Sequence, residues 1–511
     1  MNLKNKLNLL CLPLITFSMQ TVADYKLDIS YNQLQSELNA LTPNGSGVKV
    51  TQVEASSVAS TDPNFPIFAP NPDSTSFTGK TFSYPAITCG IPPCNPSLFS
   101  SHATGVANVF YGNAISMAEG INDIHSYEVN QWVNSTFISS RNGEILGATI
   151  SDRRIANHSW DGNDDSAETI GNVLRLVDRQ VVRNEYIQIA ATTTRPLLGN
   201  AYNAIAVGLS NGPDLGSIDI DNTYVAGRSR PDIVAPAANV SSSTPIISAA
   251  AAILVETGHQ GGNILSNGSR TITPDTGSAF TVYNAERSET VKAALMAGAD
   301  RQTANSSGFG DITDYRSEDH QSANGLDTRY GAGQVNIFNS YQIITAGEQN
   351  SLEDGGDNNG QIDFSGYDYD ANFGGSDGSN NIATYAFTAT TDETLSASLV
   401  WNIDINNDGS LTSTMHHLKL SLLDATENII IASSDSLLDN TQNIYINGLT
   451  EGHDYLIETT ALEPGAFNWD YSLAWNRSAF TTPVPLPIPF WLFGSALAVL
   501  FGYQRKQKFL E

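Results

Sequence analysis

The sequence predicts an α/β domain, with a parallel sheet flanked by helices, followed by an all-β antiparallel sandwich domain. Two changes of pattern predict it. Short apolar runs at 48–53, about 150–158, 186–191, 204–208 and 232–234 alternate with helical segments, the signature of a parallel sheet covered on both faces. From Tyr385 to Trp475 the apolar period becomes two, in Leu395, Ala397, Leu399 and Trp401, in Leu418, Leu420 and Leu422, and in Tyr471, Leu473 and Trp475. Turn signals at Asn447-Gly448 and Glu451-Gly452 separate these runs. A third observation concerns class: the 511 residues carry a formal net charge of −28, which argues against nucleic-acid binding, whose proteins carry basic patches.

The ends differ from the interior. Lys4 and Lys6, an apolar core from Leu7 to Phe17 and Thr21-Val22-Ala23 read as a signal peptide over 1–23, so the chain is expected to be exported. A helical segment follows within 24–46, with Leu34, Leu38 and Leu41 on one face. The α/β domain is expected over 47–346, an Asp/Gly-rich linker over 347–381, the sandwich over 382–478 and a tail over 483–511. That tail has Val484-Pro485-Leu486-Pro487, an apolar run from Phe490 to Tyr503, and a basic end at Arg505, Lys506 and Lys508. The run is short for a stable membrane span and suits a sorting signal. Cys89 and Cys94, in CGIPPC, are the cysteines left after signal removal, and in an exported protein such a pair is expected to form one disulfide.

Taken in order, the elements carry five motifs. Gly47-Val48-Lys49-Val50-Thr51-Gln52-Val53 is a strand ending at Glu54. Ser101-His102-Ala103-Thr104-Gly105-Val106-Ala107 opens a helix, 48 residues after Glu54. Ile155 to Gly162 is a strand running into Ser159, Trp160, Asp161 and Gly162. Ala167 to Gln180 is amphipathic, and the buried strand Ile187 to Ala191 ends in Thr192-Thr193-Thr194. Pro231-Asp232-Ile233-Val234-Ala235-Pro236 leads to Asn239-Val240-Ser241-Ser242-Ser243-Thr244-Pro245 and an Ala-rich helix, expected to start at Pro245 because proline suits the first helical position. Serines at a helix N-terminus meet free N–H groups and the positive dipole end, which favour developing negative charge. Farther on, Ser288 is expected to cap a helix to Ala299, and Tyr330 to Asn336 is a Gly-rich turn.

Together these motifs resemble the subtilisin-like serine proteases (subtilases), over about 47–345. The resemblance implies a subtilisin-like sheet and a serine endopeptidase acting on protein or peptide substrates, with Ser241 as nucleophile, His102 as general base and Glu54 as the acid that orients the histidine. The order of acid, base and nucleophile is the subtilisin one. Where the family carries aspartate this chain has Glu54, and at the family's oxyanion asparagine no Asn stands; the Thr193 hydroxyl is the candidate donor there, with the Ser241 backbone N–H as second donor, and Asn203 is a weaker candidate. Ser159, Trp160, Asp161 and Gly162 are expected to line the substrate cleft, pairing with substrate backbone as an added strand. These departures keep an alternative open: a catalytically impaired subtilase-fold binding or adhesion module of the cell surface or exopolysaccharide matrix.

The sandwich resembles those appended to secreted proteases. The tail resembles the PEP-CTERM class in its VPLP form, which implies an exosortase-like sorting enzyme as partner, membrane contact only through the tail, and display at the surface of, or release from, a Gram-negative cell. Catalysis requires no cofactor. Ca²⁺ is the cation that the acidic stretch from Glu348 to Asn381 would suit. Asp404 to Gly409 matches half of an EF-hand-type loop, but the twelfth position is Met415, not Glu.

Overall fold

The computed structural model describes residues 25–56, 67–85, 98–133, 151–164, 166–275, 277–374, 380–406, 409–463 and 468–479. The signal segment, Cys89, Cys94, Asn407, Asp408 and the C-terminal tail lie outside these residues.

Seven parallel strands form the first sheet: β1 (Val50–Glu54), β2 (Thr81–Ser83), β3 (Asp123–Glu128), β4 (Ile155–His158), β5 (Ile187–Ala191), β6 (Ile205–Leu209) and β7 (Ile233–Ala235). Their order is β2-β3-β1-β4-β5-β6-β7. The chain therefore leaves β1 toward one edge, through β2 and β3, and crosses back over β1 to lay down β4 on its other side. Such a reversal opens a crevice at the carboxyl ends of the two strands, here β1 and β4. Apart from Leu209, the residues of β1 and β4 to β7 are all buried; β6 and β7 are unbroken apolar runs, whereas β1, β4 and β5 also bury polar side chains such as Gln52, Glu54, Asn157, His158 and Gln188.

The helices are α1 (Tyr25–Asp28), α2 (Tyr31–Leu38), α3 (Ser101–Phe110), α4 (Val129–Gln131), α5 (Ala167–Asn184), α6 (Val240–Gly261), α7 (Ser288–Gly298), α8 (Ile337–Ala346) and the single turn α9 (Asp357–Gly360). Helix α6 packs across β4 to β7 and against α3. It begins five residues earlier than expected. Asn239, not Pro245, opens it: the Asn239 carboxamide accepts the Ser242 N–H at 3.0 Å, and Pro245 sits inside the helix. Ser288 likewise does not cap α7. It is the first helical residue, and the Glu185 carboxylate takes its N–H at 2.9 Å. The N-terminal segment belongs to the core, with Tyr25, Ile29, Tyr31 and Leu34 buried, whereas Leu41 is 83% exposed.

A short hairpin of β8 (Ser269–Ile272) and β9 (Phe280–Tyr283) precedes α7, and the chain from β10 onward forms the sandwich. Its strands are β10 (Ser365–Phe373), β11 (Ile382–Thr388), β12 (Glu393–Val400), β13 (Asp404–Ile405), β14 (Ser413–Thr414), β15 (Leu418–Asp424), β16 (Ile429–Ser434), β17 (Thr441–Leu449), β18 (Asp454–Ala461) and β19 (Trp469–Ala479). Two antiparallel four-stranded sheets result, β10-β19-β12-β17 and β11-β18-β15-β16, with β13 and β14 as a separate hairpin. The residues of period two form the core between the sheets, including Leu395, Ala397, Leu399, Trp401, Leu418, Leu420, Leu422, Tyr471, Leu473 and Trp475.

Two expectations change here. The segment read as a linker supplies β10. Asn447-Gly448 is no turn: β17 runs through it, and the register slips so that Glu393 faces Leu449 while Thr394 faces Asn447. Gly448, at φ 78°, is the extra residue of a β-bulge, a conformation glycine adopts without strain. The sandwich is not a loosely tethered module. Helix α7, buried at every residue, packs under β12 and β19, and Tyr367, Val400 and Ala474 join the same apolar cluster as α6 and α8.

Candidate active site

Val53 of β1 pairs with His158 of β4, so Glu54 and Ser159 leave the sheet side by side at the crevice. Neighbouring strands lie about 4.8 Å apart, so groups carried by these two residues share one small region.

On the β1 side, Glu54 is 1% exposed and its Oε2 lies 2.9 Å from Nδ1 of His102. His102 stands in the first turn of α3, whose cap is Ser100, accepting the Ala103 N–H at 3.2 Å. Burial disfavours a charged imidazole, but the Glu54 charge and its hydrogen bond outweigh it, and the His102 pKa is raised above the usual 6.5. A carboxylate at Nδ1 requires the proton there when the ring is neutral, which leaves Nε2 as the basic nitrogen.

On the β4 side, Ser241 is 4% exposed in the first turn of α6. It is tied to Ser159 in both directions: Ser159 Oγ donates to the Ser241 carbonyl at 3.0 Å, and Ser241 Oγ donates to the Ser159 carbonyl at 3.2 Å. Pro245 explains the first bond. The Ser241 carbonyl would ordinarily accept from the residue four places on, and proline has no N–H to give. Behind Ser159, Asn157 Nδ2 donates to its hydroxyl at 3.0 Å, and Ser248 Oγ donates to Asn157 Oδ1 at 2.9 Å. As an early residue of α6, Ser241 has no intrahelical acceptor for its own N–H, which sits at the positive end of the helix dipole.

The other expected residues go elsewhere. The Thr193 hydroxyl, expected to face an oxyanion, donates to Asp161 Oδ2 at 2.9 Å and accepts the Arg195 N–H at 3.1 Å. Asp161, buried and also 3.6 Å from the Arg195 guanidinium, demands that donor. Asn203 holds the Asp178 carbonyl at 3.0 Å and the Ile403 carbonyl at 2.9 Å, so its amide joins the sheet domain to the sandwich. Trp160 is a core residue that donates to His158 Nδ1 at 3.2 Å. Gly162 pairs with Leu197 in both directions, so its own N–H and C=O are taken by the chain's backbone. Among the described residues no group of three or more His, Cys, Asp or Glu side chains is placed to hold a metal ion.

No family model matches the chain, and no curated protein matches it. Among solved structures it is similar to PliG of Aeromonas hydrophila, a periplasmic inhibitor of g-type lysozyme, at 13% identity over 23% of this chain and 94% of that one, with a TM-score of 0.17. It is also similar to the pre-peptidase C-terminal domain of a Bacillus anthracis collagenase, at 10% identity over 23% of this chain and 92% of that one, again with a TM-score of 0.17. Likenesses of this size bear on neither fold nor function.

Proposed function

We propose that this chain is an exported, subtilase-like serine endopeptidase that hydrolyses peptide bonds through Ser241, His102 and Glu54. The observation that carries the proposal is the 2.9 Å contact of a buried carboxylate with His102 Nδ1, at the crevice where Ser241 stands in the first turn of a long helix. In the reaction, Ser241 Oγ leaves the Ser159 carbonyl by rotating about its χ1 bond and gives its proton to His102 Nε2. It attacks the peptide carbonyl carbon as the oxyanion forms near the start of α6. Glu54 steadies the imidazolium, which returns the proton to the departing amine. Water then repeats the sequence on the acyl-enzyme.

Export by the signal segment and processing of the VPLP tail by an exosortase-like enzyme complete the proposal, with the protein displayed at, or released from, a Gram-negative surface. A second reading, a non-catalytic adhesion module of the surface or matrix, draws on the Thr193 hydroxyl being bound to Asp161 and on the Ser241 hydroxyl resting on Ser159. Losing one oxyanion donor lowers turnover by ~10²–10³, so sensitive substrates are needed to separate the two. The test is hydrolysis of a fluorogenic peptide library by the mature protein, with Ca²⁺ supplied. Turnover lost in Ser241→Ala, His102→Ala and Glu54→Ala supports the peptidase. A folded wild type with no turnover, binding surface polysaccharide equally well as Ser241→Ala, supports the module.

A further inference from the structure

Glu54 is one methylene longer than the aspartate whose place it takes, so something must set where its carboxylate comes to rest. Its two oxygens have different partners. Oε2 meets His102, while Oε1 accepts Nε2 of Gln52 at 2.8 Å. The same Gln52 nitrogen donates to the carbonyl of Ala103, the residue after His102, at 2.9 Å. A carboxamide nitrogen has two protons, and both are used. One side chain thus ties the strand that carries the acid to the helix that carries the base.

A glutamine amide is nearly symmetric in shape, and only its hydrogen bonds decide which end faces a carboxylate. Here the decision comes from Tyr111, which follows α3 and whose hydroxyl donates to Gln52 Oε1. Burial first, then the Glu54 charge, push the Tyr111 pKa well above its ordinary value, so the hydroxyl stays protonated and stays a donor. With Oε1 held by Tyr111, the NH₂ group must face Glu54. Gln52, Glu54 and Tyr111 are all buried.

We propose that Gln52 and Tyr111 are positioning residues that lock the Glu54 carboxylate against His102 and so let a glutamate serve where the resembled motif has aspartate. The proposal rests on the reading of Glu54 and His102 as orienting acid and base, but its test does not depend on turnover. The measurement is an NMR titration of the His102 ring in the folded mature protein, comparing wild type with Gln52→Met, Tyr111→Phe and Glu54→Gln. Glu54 is the charged group acting on that ring. Losing the Glu54 interaction lowers the ring pKa, and both positioning variants are expected to move it in the same direction, by ~3-fold or more in acid dissociation constant. If the protein turns over peptides, kcat falls ~10–100-fold in Gln52→Met with KM within about twofold.

Titrations of Gln52→Met and Tyr111→Phe that coincide with wild type overturn the proposal. Should Gln52→Met fail to fold, Tyr111→Phe, which removes a single oxygen, decides alone. A shifted titration in a protein without turnover sinks the peptidase and leaves the clamp. Turnover with an unshifted titration does the reverse.

Discussion

A serine hydroxyl becomes a nucleophile only when a neighbouring base takes its proton, and the pH at which that happens reports the base. In the proposed mechanism His102 must be neutral to act, and Glu54 holds its pKa above 6.5. Activity is therefore expected to rise with pH along a limb above 6.5. In Glu54→Gln burial acts alone, so the limb moves to lower pH while the maximum rate drops; a pH profile of kcat/KM checks both. Stability has the matching sign. The folded ring binds its proton more tightly than the unfolded one, so this contribution is fully present below about pH 6.5 and is lost as the pH rises through the folded pKa. Asp300 follows the same rule for an acid, since burial raises its pKa to about 6. Its protonated form is favoured by folding, and stability falls between about pH 4 and 6, on the order of 3 kcal/mol. Urea titrations of Asp300→Asn should lack that fall. Of the candidate site, motif order names Glu54, His102 and Ser241, and the Glu54–His102 contact is present. It does not name Gln52 and Tyr111, because a glutamine in a strand and a tyrosine after a helix become partners only once α3 packs beside β1.

Helix α6 shows what local rules leave out. Proline suits the first turn of a helix, so Pro245 draws the expected start to itself, yet Asn239 is the better cap and wins by accepting the Ser242 N–H. Pro245 then leaves the Ser241 carbonyl for Ser159. Asn239→Ala is expected to destabilise the protein by about 1 kcal/mol, read as a shift in the urea midpoint with unchanged slope. Pro245→Ala restores an N–H that competes with Ser159 for that carbonyl. The expected result is a protein of equal or greater stability with lower kcat, and unchanged kcat would show that the Ser159 link does not matter. Gly448 carries a similar lesson: an Asn-Gly pair reads as a hairpin turn, but the same left-handed glycine serves a bulge when both sides continue as strand.

Across the whole molecule, the order of the two architectures is legible in the change of apolar period, because side-chain alternation is fixed by strand geometry. Their union is not legible, since nothing in the local pattern tells that α7 will be covered by β12 and β19. Asn203 marks the joint. Its Oδ1 accepts the Ile403 N–H at 2.8 Å and its Nδ2 donates to the Ile403 carbonyl at 2.9 Å. Asn203→Ala leaves both backbone groups buried without these partners and is expected to cost on the order of 2–4 kcal/mol, with thermal unfolding remaining a single transition. Two separated transitions would mean that sheet domain and sandwich are independent after all.

The most direct measurement is covalent labelling of the mature protein by a serine-directed fluorophosphonate, with the modified residue located by mass spectrometry. The peptidase proposal requires the label on Ser241, its disappearance in Ser241→Ala, and a rate at least ~100-fold slower in His102→Ala. A wild-type protein that stays unlabelled, or a label that persists in Ser241→Ala, contradicts it.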